Sequence, residues 1–137
     1  MSEAKPAVTA QLASISPSFA VPDVVVAAEY YRDKFGFQIR GYFLDPPVYA
    51  IVRRDSVIIH FGRIETNVPS SPNTIRREEG IDAYVWVDDV DALHAELLKR
   101  GAHIVDPPTK RVYGCYEMVV EDNFGFRIAF GMNIAEG

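Results

Sequence analysis

GIDAYVWVDDVDALHAELLKRG, residues 80–101, reads as a half-buried strand, a capped turn and an amphipathic helix. Along Asp82 to Val87 the side chains alternate, with Asp82, Tyr84 and Trp86 on one face and Ala83, Val85 and Val87 on the other. Asp88 or Asp89 caps a helix whose inner stripe is Val90, Leu93, His94 and Leu97, and Gly101 closes it. The same sentence stands earlier, in SPSFAVPDVVVAAEYYRDKFG, residues 16–36. Aligning Asp89 on Asp23 (89 − 23 = 66) also sets Asp82 on Ser16, and the closing glycines differ by one residue less (101 − 36 = 65). A strand-helix unit that recurs at this interval predicts two similar halves built as one domain.

Outward from these two stretches the chain divides readily. Residues 1–14 are rich in Ala and Ser without a period and read as a flexible extension. The first half spans 15–62. Ile15, Pro17, Phe19 and Val21 form one face of a strand, and Ser16, Ser18 and Ala20 the other. Asp23 caps a helix with the stripe Val24, Ala27, Ala28, Tyr31 and Phe35, and Gly36 ends it. Strands are expected at Phe37–Phe43, Val48–Arg53 and Ser56–Gly62, with a break at Asp45-Pro46-Pro47 and a tight turn at Arg54-Asp55. Residues 63–80, polar and holding Pro69 and Pro72, read as a surface linker that partly covers a cavity. The second half, 81–131, continues with a strand near Ala102–Val105, a break at Pro107-Pro108, a long strand within Arg111–Val120, a turn at Asp122–Gly125 and a last strand at Phe126–Gly131. Residues 132–137 form a tail.

Composition sets limits on function. The 137 residues, 48% hydrophobic and 24% charged, suffice for one domain with a proper core. No apolar run reaches the length of a membrane span, and the first residues lack the basic start and apolar block of a secretory signal. A net charge of −5 argues against nucleic acid, because phosphate binding needs clustered Lys and Arg. Cys115 is the single cysteine, which fits a reducing, cytoplasmic setting.

Two successive strand-helix-three-strand modules, each with a V-P-D or V-D-D step into its helix, resemble the vicinal oxygen chelate superfamily of glyoxalase I, the bleomycin-resistance proteins and the extradiol dioxygenases. The phrases that carry the likeness are SFAVPDVVVAAEYYRDKFGF, IDAYVWVDDVDALHAELLKRGA and YEMVVEDNFGFRIAFG, the last with a D-x-x-G turn before its final strand. The resemblance implies an α+β fold of two tandem βαβββ modules, a curved mixed sheet around a cavity, in a homodimer. Enzymes of that family hold a divalent metal on four side chains, and those places fall here at Ser16, Ile58, Asp82 and Ala129. Only Asp82 donates readily, whereas a stable divalent site needs three or four oxygen or nitrogen donors. The usual metal set is therefore expected to be missing, and no other cofactor is implied.

His60 lies two residues from Ile58 on the cavity side and could meet Asp82 as a ligand pair or acid–base pair; the plainer reading is a half-buried structural histidine. His94 and His103 read as structural. The expected cavity lining is Ser16, Ser18 and Ala20; Ile58 and His60; Asp82, Tyr84 and Trp86; and Arg127, Ala129 and Gly131. Such a surface suits an apolar or aromatic ligand oriented by a few polar groups, with the Trp86 indole stacking on a flat or cationic molecule. The competing reading has Trp86 and Tyr84 merely filling a barrel. Cys115 lacks a histidine partner motif for nucleophilic work. Glu117, on the same face, is either a carboxylate at the cavity rim or, more commonly for such a residue, a solvated strand glutamate. Arg76-Arg77-Glu78-Glu79 in the linker is a solvated charge run. Sequestration of a small organic molecule, a cationic aromatic one among the candidates, is the leading expectation, with Trp86, Tyr84, Asp82, His60, Ser18 and Arg127 as ligand-binding residues. The alternative is a metal-dependent lyase, isomerase or dioxygenase with an atypical ligand set.

Overall fold

Each half begins with a strand that ends on an aspartate and turns into a helix. The computed structural model describes residues 9–64 and 80–134. In the first half β1 (Ser18–Val21) leads to α1 (Val24–Phe35), then β2 (Gln38–Phe43), β3 (Tyr49–Arg54) and β4 (Val57–Arg63). The second half repeats the order with β5 (Ala83–Trp86), α2 (Val90–Lys99), β6 (His103–Lys110), β7 (Cys115–Glu121) and β8 (Arg127–Asn133). Asp23 accepts from the amides of Val25 and Val26, and Asp89 from that of Ala92, so each helix starts on a satisfied carboxylate cap. Gly36 (φ 74°) ends α1 in the left-handed conformation that glycine adopts without a Cβ clash.

Two four-stranded mixed sheets result, ordered β1-β4-β3-β2 and β5-β8-β7-β6. β1 runs parallel to β4 and β5 to β8, and the remaining pairs are antiparallel. One face of each sheet carries its helix and enters the core; the other carries none. The alternation in β1 sends Phe19 and Val21 inward and leaves Ser18 and Ala20 exposed. Val24, Ala27, Ala28, Tyr31 and Phe35 of α1 pack on Val52, Ile59 and Phe61, and Val90 and Leu97 of α2 belong to the same cluster as Met118, Val120 and Ile128. Each such fully buried large side chain contributes about 1.5–3 kcal/mol of hydrophobic stabilisation.

The halves are joined through this core. Phe19 stacks on Phe126 with ring centroids 4.5 Å apart, and Tyr31 donates to Asp122 Oδ2 at 2.7 Å. Asp122 Oδ1 meanwhile accepts from the amides of Phe124 and Phe126, tying the β7–β8 turn. At the opposite end the Arg54 guanidinium makes a two-armed contact with Glu96 of α2 and also donates to the Phe35 carbonyl.

Three sequence readings change. The first strand begins at Ser18, and Ile15 stands 92% exposed ahead of it rather than on its inner face. Pro107 and Pro108 do not break a strand: β6 runs through them, with register shifts between Ile104 and Asp106 and between Asp106 and Thr109. β6 is an edge strand, where a missing amide and a bulge are tolerated. The long strand expected within Arg111–Val120 starts only at Cys115, because residues 111–114 form the turn closed by Gly114 N–H to the Arg111 carbonyl. Residues 1–8, most of the linker (65–79) and 135–137 lie outside the described residues.

Candidate functional site

The helix-free face of the second sheet holds a buried carboxylate under an aromatic cover. Strand pairing sets Trp86 beside Gly131 and Gly131 beside Glu117, and likewise Tyr84, Ala129 and Val119 in the next row. Glu117 is only 5% exposed, so the solvated reading of this residue is overturned. Its Oε1 accepts from the Tyr84 hydroxyl at 3.0 Å and from the Tyr113 hydroxyl at 2.6 Å, while Arg111 Nε lies 3.5 Å from Oε2. A buried carboxylate is tolerated only with such partners.

Tyr84 reaches Glu117 by lying across Gly131. A Cβ on Gly131 would run into the Tyr84 hydroxyl and ring, although this glycine is not at a positive φ. Glycine is there for space alone. Both phenols stay protonated donors. Burial, then hydrogen bonding to Cys115 and Glu117, drives Tyr84 far above the ordinary tyrosine range, and the same causes, with Glu117 the bonded partner, push Tyr113 up to about 12. Over this network Trp86 is 60% exposed, its indole 4.9 Å from the Tyr84 ring. Trp86 is thus exposed and does not fill the interior of a barrel.

On the corresponding face of the first sheet, His60 pairs with Ser18 of β1 and Ile51 of β3. Its Nδ1 is 2.7 Å from the Tyr49 hydroxyl, and the two rings meet edge to face. Ser18 and Ala20 leave this face shallow, and Phe43 at its rim is 47% exposed. Asp82 and His60 do not pair: Asp82 Oδ2 accepts from the Arg127 amide at 2.9 Å, and His60 is engaged by Tyr49. The Arg127 side chain bonds Glu121 at 3.0 Å. His103 faces Glu121 at 3.5 Å, and His94 is half-buried on α2.

The family's four metal positions do not fit a metal here. Ile58 and Ala129 carry no donor atom, Ser16 is exposed ahead of β1, and Asp82 holds a backbone amide. Strand pairing makes His60 the counterpart of Ala129, but its Nδ1 is 2.7 Å from the Tyr49 hydroxyl. Among the described residues no group of three or more His, Cys, Asp or Glu could hold a metal ion. The sequence signal for Glu117 is its place within the largely apolar run CYEMVVE, a strand that the structure buries at nearly every position.

Comparison with known proteins agrees with this architecture. The profile of the Glyoxalase/Bleomycin resistance protein/Dioxygenase superfamily matches residues 11–130, and the chain belongs to that superfamily. Among solved structures it is similar to TioX from Micromonospora sp. ML1, with 21% identity over 89% of this chain and 99% of that one, at a TM-score of 0.68. It is also similar to the bleomycin-binding protein of Streptomyces verticillus complexed with copper(II)-bleomycin (22% identity, 93% of this chain and 100% of that one, TM-score 0.66). A glyoxalase-related enzyme from Clostridium phytofermentans shares 14% identity over 93% and 99% of the two chains, at a TM-score of 0.71. No curated protein matches the sequence. Among the described residues no helix is long and apolar enough to cross a membrane.

Proposed function

We propose that this protein binds a small organic molecule on the helix-free face of its second half, sequestering it without the family's metal set. The observation that supports this reading most is the exposed Trp86 indole standing over Glu117, a buried carboxylate already oriented by Tyr84 and Tyr113. A flat ligand stacks on the indole, and a positive charge on it is attracted both to the ring face and to the carboxylate beneath. Among its structural relatives, the bleomycin-binding protein is complexed with copper(II)-bleomycin. Ser18, His60, Asp82 and Arg127 belong to the proposal as flanking polar groups of the two faces.

The binding unit in this proposal is a homodimer in the cytoplasm, the latter resting on the single, buried cysteine. One face is shallow at Ser18 and Ala20, and the other projects Tyr84 and Trp86, so two copies can lay unlike faces together and enclose a ligand. The test is Trp86 fluorescence under titration with a panel of cationic aromatic antibiotics, with and without added divalent metal. A saturable, metal-independent change, weakened in Glu117→Gln, supports sequestration. A response that appears only with metal would favour an enzyme of the same superfamily instead.

A further inference from the structure

The doubled fold contains its own comparison. Strand pairing makes β1 with β4 the counterpart of β5 with β8: Ser18 opposite His60 corresponds to Tyr84 opposite Ala129. Continuing that register, Phe19 corresponds to Val85 and Phe126 to Val57. The turns correspond too, since each reaches across to the other half's helix, Asp122 to Tyr31 and Arg54 to Glu96. At the Asp122 end Phe19 and Phe126 stack and fill the space between the halves. At the Arg54 end two valines stand where those two rings would be, and a cleft of about 440 Å³ opens there.

This cleft lies on the helix side of the sheets, and of the residues assigned to the Glu117 face only Trp86 also lines it. Its floor is apolar: Val57, Val85, Leu93 and Phe130, with Phe35 and Phe37 at the back. Its lips are acidic. Asp55 stands on the β3–β4 turn with its side chain 91% exposed, and Asp88 and Asp89 stand on the opposite lip at the start of α2. The positive end of α2 is already met by Asp89, which accepts from Ala92, and by Asp91 in the first turn. Arg54, the one cation among the lining residues, is held by Glu96, which also lines the cleft. Asp55 meets Arg54 Nε only at 4.0 Å and stays largely exposed, so the carboxylates of the lips outnumber the one lining cation above an apolar floor, a lining that favours a cationic ligand.

We propose that this inter-half cleft is a second binding site, for a compact amphiphilic cation that buries an aromatic or aliphatic group against Val57 and Val85 and leaves its ammonium between Asp55 and Asp88. Tyr84, Glu117 and Tyr113 do not line the cleft, whereas Trp86 is shared by both sites, so the readout that separates them is taken at Val57, Val85 and Leu93 and not at Trp86.

The experiment is methyl NMR of the full chain, titrated with 3-phenylpropylammonium, and in parallel with 3-phenylpropanol and 4-phenylbutyrate. The expected result is saturable shifts of the Val57, Val85 and Leu93 methyls with the ammonium, weaker with the alcohol and weakest with the carboxylate. Asp55→Asn and Asp88→Asn should each weaken the ammonium about 2- to 5-fold, the effect of one exposed charge pair. Val85→Phe, which restores the aromatic of the sealed end, should abolish the shifts; should it fail to fold, Val57→Phe serves the same purpose. Equal binding of the carboxylate, or no response of these methyls to any probe, overturns the proposal. Shifts confined to Tyr84, Tyr113 and Glu117 would overturn it too, while leaving the Glu117 face as the binding site.

Discussion

Gly131→Ala and Gly62→Ala form a matched pair that isolates the close approach of Tyr84. Both glycines sit on the last strand of a half, Gly62 beside Tyr49 and Gly131 beside Glu117. Replacing a glycine by alanine where the backbone permits it gains about 0.4–1 kcal/mol by restricting the unfolded chain. At Gly62 the new methyl meets Tyr49 Cε1 at 3.7 Å, an ordinary contact, so Gly62→Ala should be neutral or stabilising by that amount. At Gly131 the methyl collides with the Tyr84 hydroxyl and ring, and Tyr84 must leave Glu117. Losing a hydrogen bond to a charged group costs about 1.5–3 kcal/mol, more than the entropic gain returns. The net loss of about 1–2 kcal/mol should lower Tm by roughly 3–8 °C for a domain of this size. Calorimetry and urea unfolding of both variants give the comparison, and Gly131→Ala in a Tyr84→Ala background supplies the coupling. Equal stabilities of the two variants, or an undiminished penalty once Tyr84 is removed, would refute the account of Gly131.

Burial pushes the Asp122 carboxyl up to about 6 from 3.8, against the hydrogen bonds from Tyr31, Phe124 and Phe126 that favour the charged form. The folded chain therefore holds this proton more tightly than the unfolded one, and stability falls as pH rises from about 4 to about 6, by at most ~3 kcal/mol; Asp122→Asn should remove that slope in urea titrations at several pH values. Tyr31→Phe leaves Asp122 Oδ2 without its donor and should cost about 1–3 kcal/mol in the same assay. The Arg54–Glu96 contact is partly exposed, so Glu96→Gln should cost under about 1 kcal/mol, less at high salt. Hydrogen bonds from Arg54 hold Glu96 below the usual carboxylate range, so that small contribution fades as acid protonates it, which unfolding below pH 4.5 would show. In the titration of Trp86, Glu117→Gln should weaken a cationic ligand about tenfold while leaving a neutral one unchanged.

Much of this architecture is written in local chemistry. The aspartate caps, the 3.6-residue stripe of Val24 to Phe35 and the two-residue alternation around Trp86 each follow from one element's own geometry, and so they were readable. Ile15 misled because it continues the alternation in a segment that nothing covers. The prolines of β6 misled because their tolerance depends on the strand being at the edge, a property of the sheet and not of the segment. For the site, the faces of Tyr84, Trp86 and His60 could be assigned from alternation. The partners could not. Tyr49 for His60 and Tyr84 for Glu117 come from other strands brought alongside by the fold, and Tyr113 reaches Glu117 only because the turn before β7 folds it back. The cleft was equally hidden, because its cause is a pair of valines that matter only opposite each other.

The central claim, metal-free binding of an organic ligand over Glu117, is tested most directly by backbone and side-chain NMR mapping of the strongest binder on chelator-treated protein. The account predicts shifts clustered at Tyr84, Trp86, Arg111, Tyr113 and Glu117, saturating without metal. Shifts that appear only after a divalent ion is added, or that spare this face altogether, would contradict it.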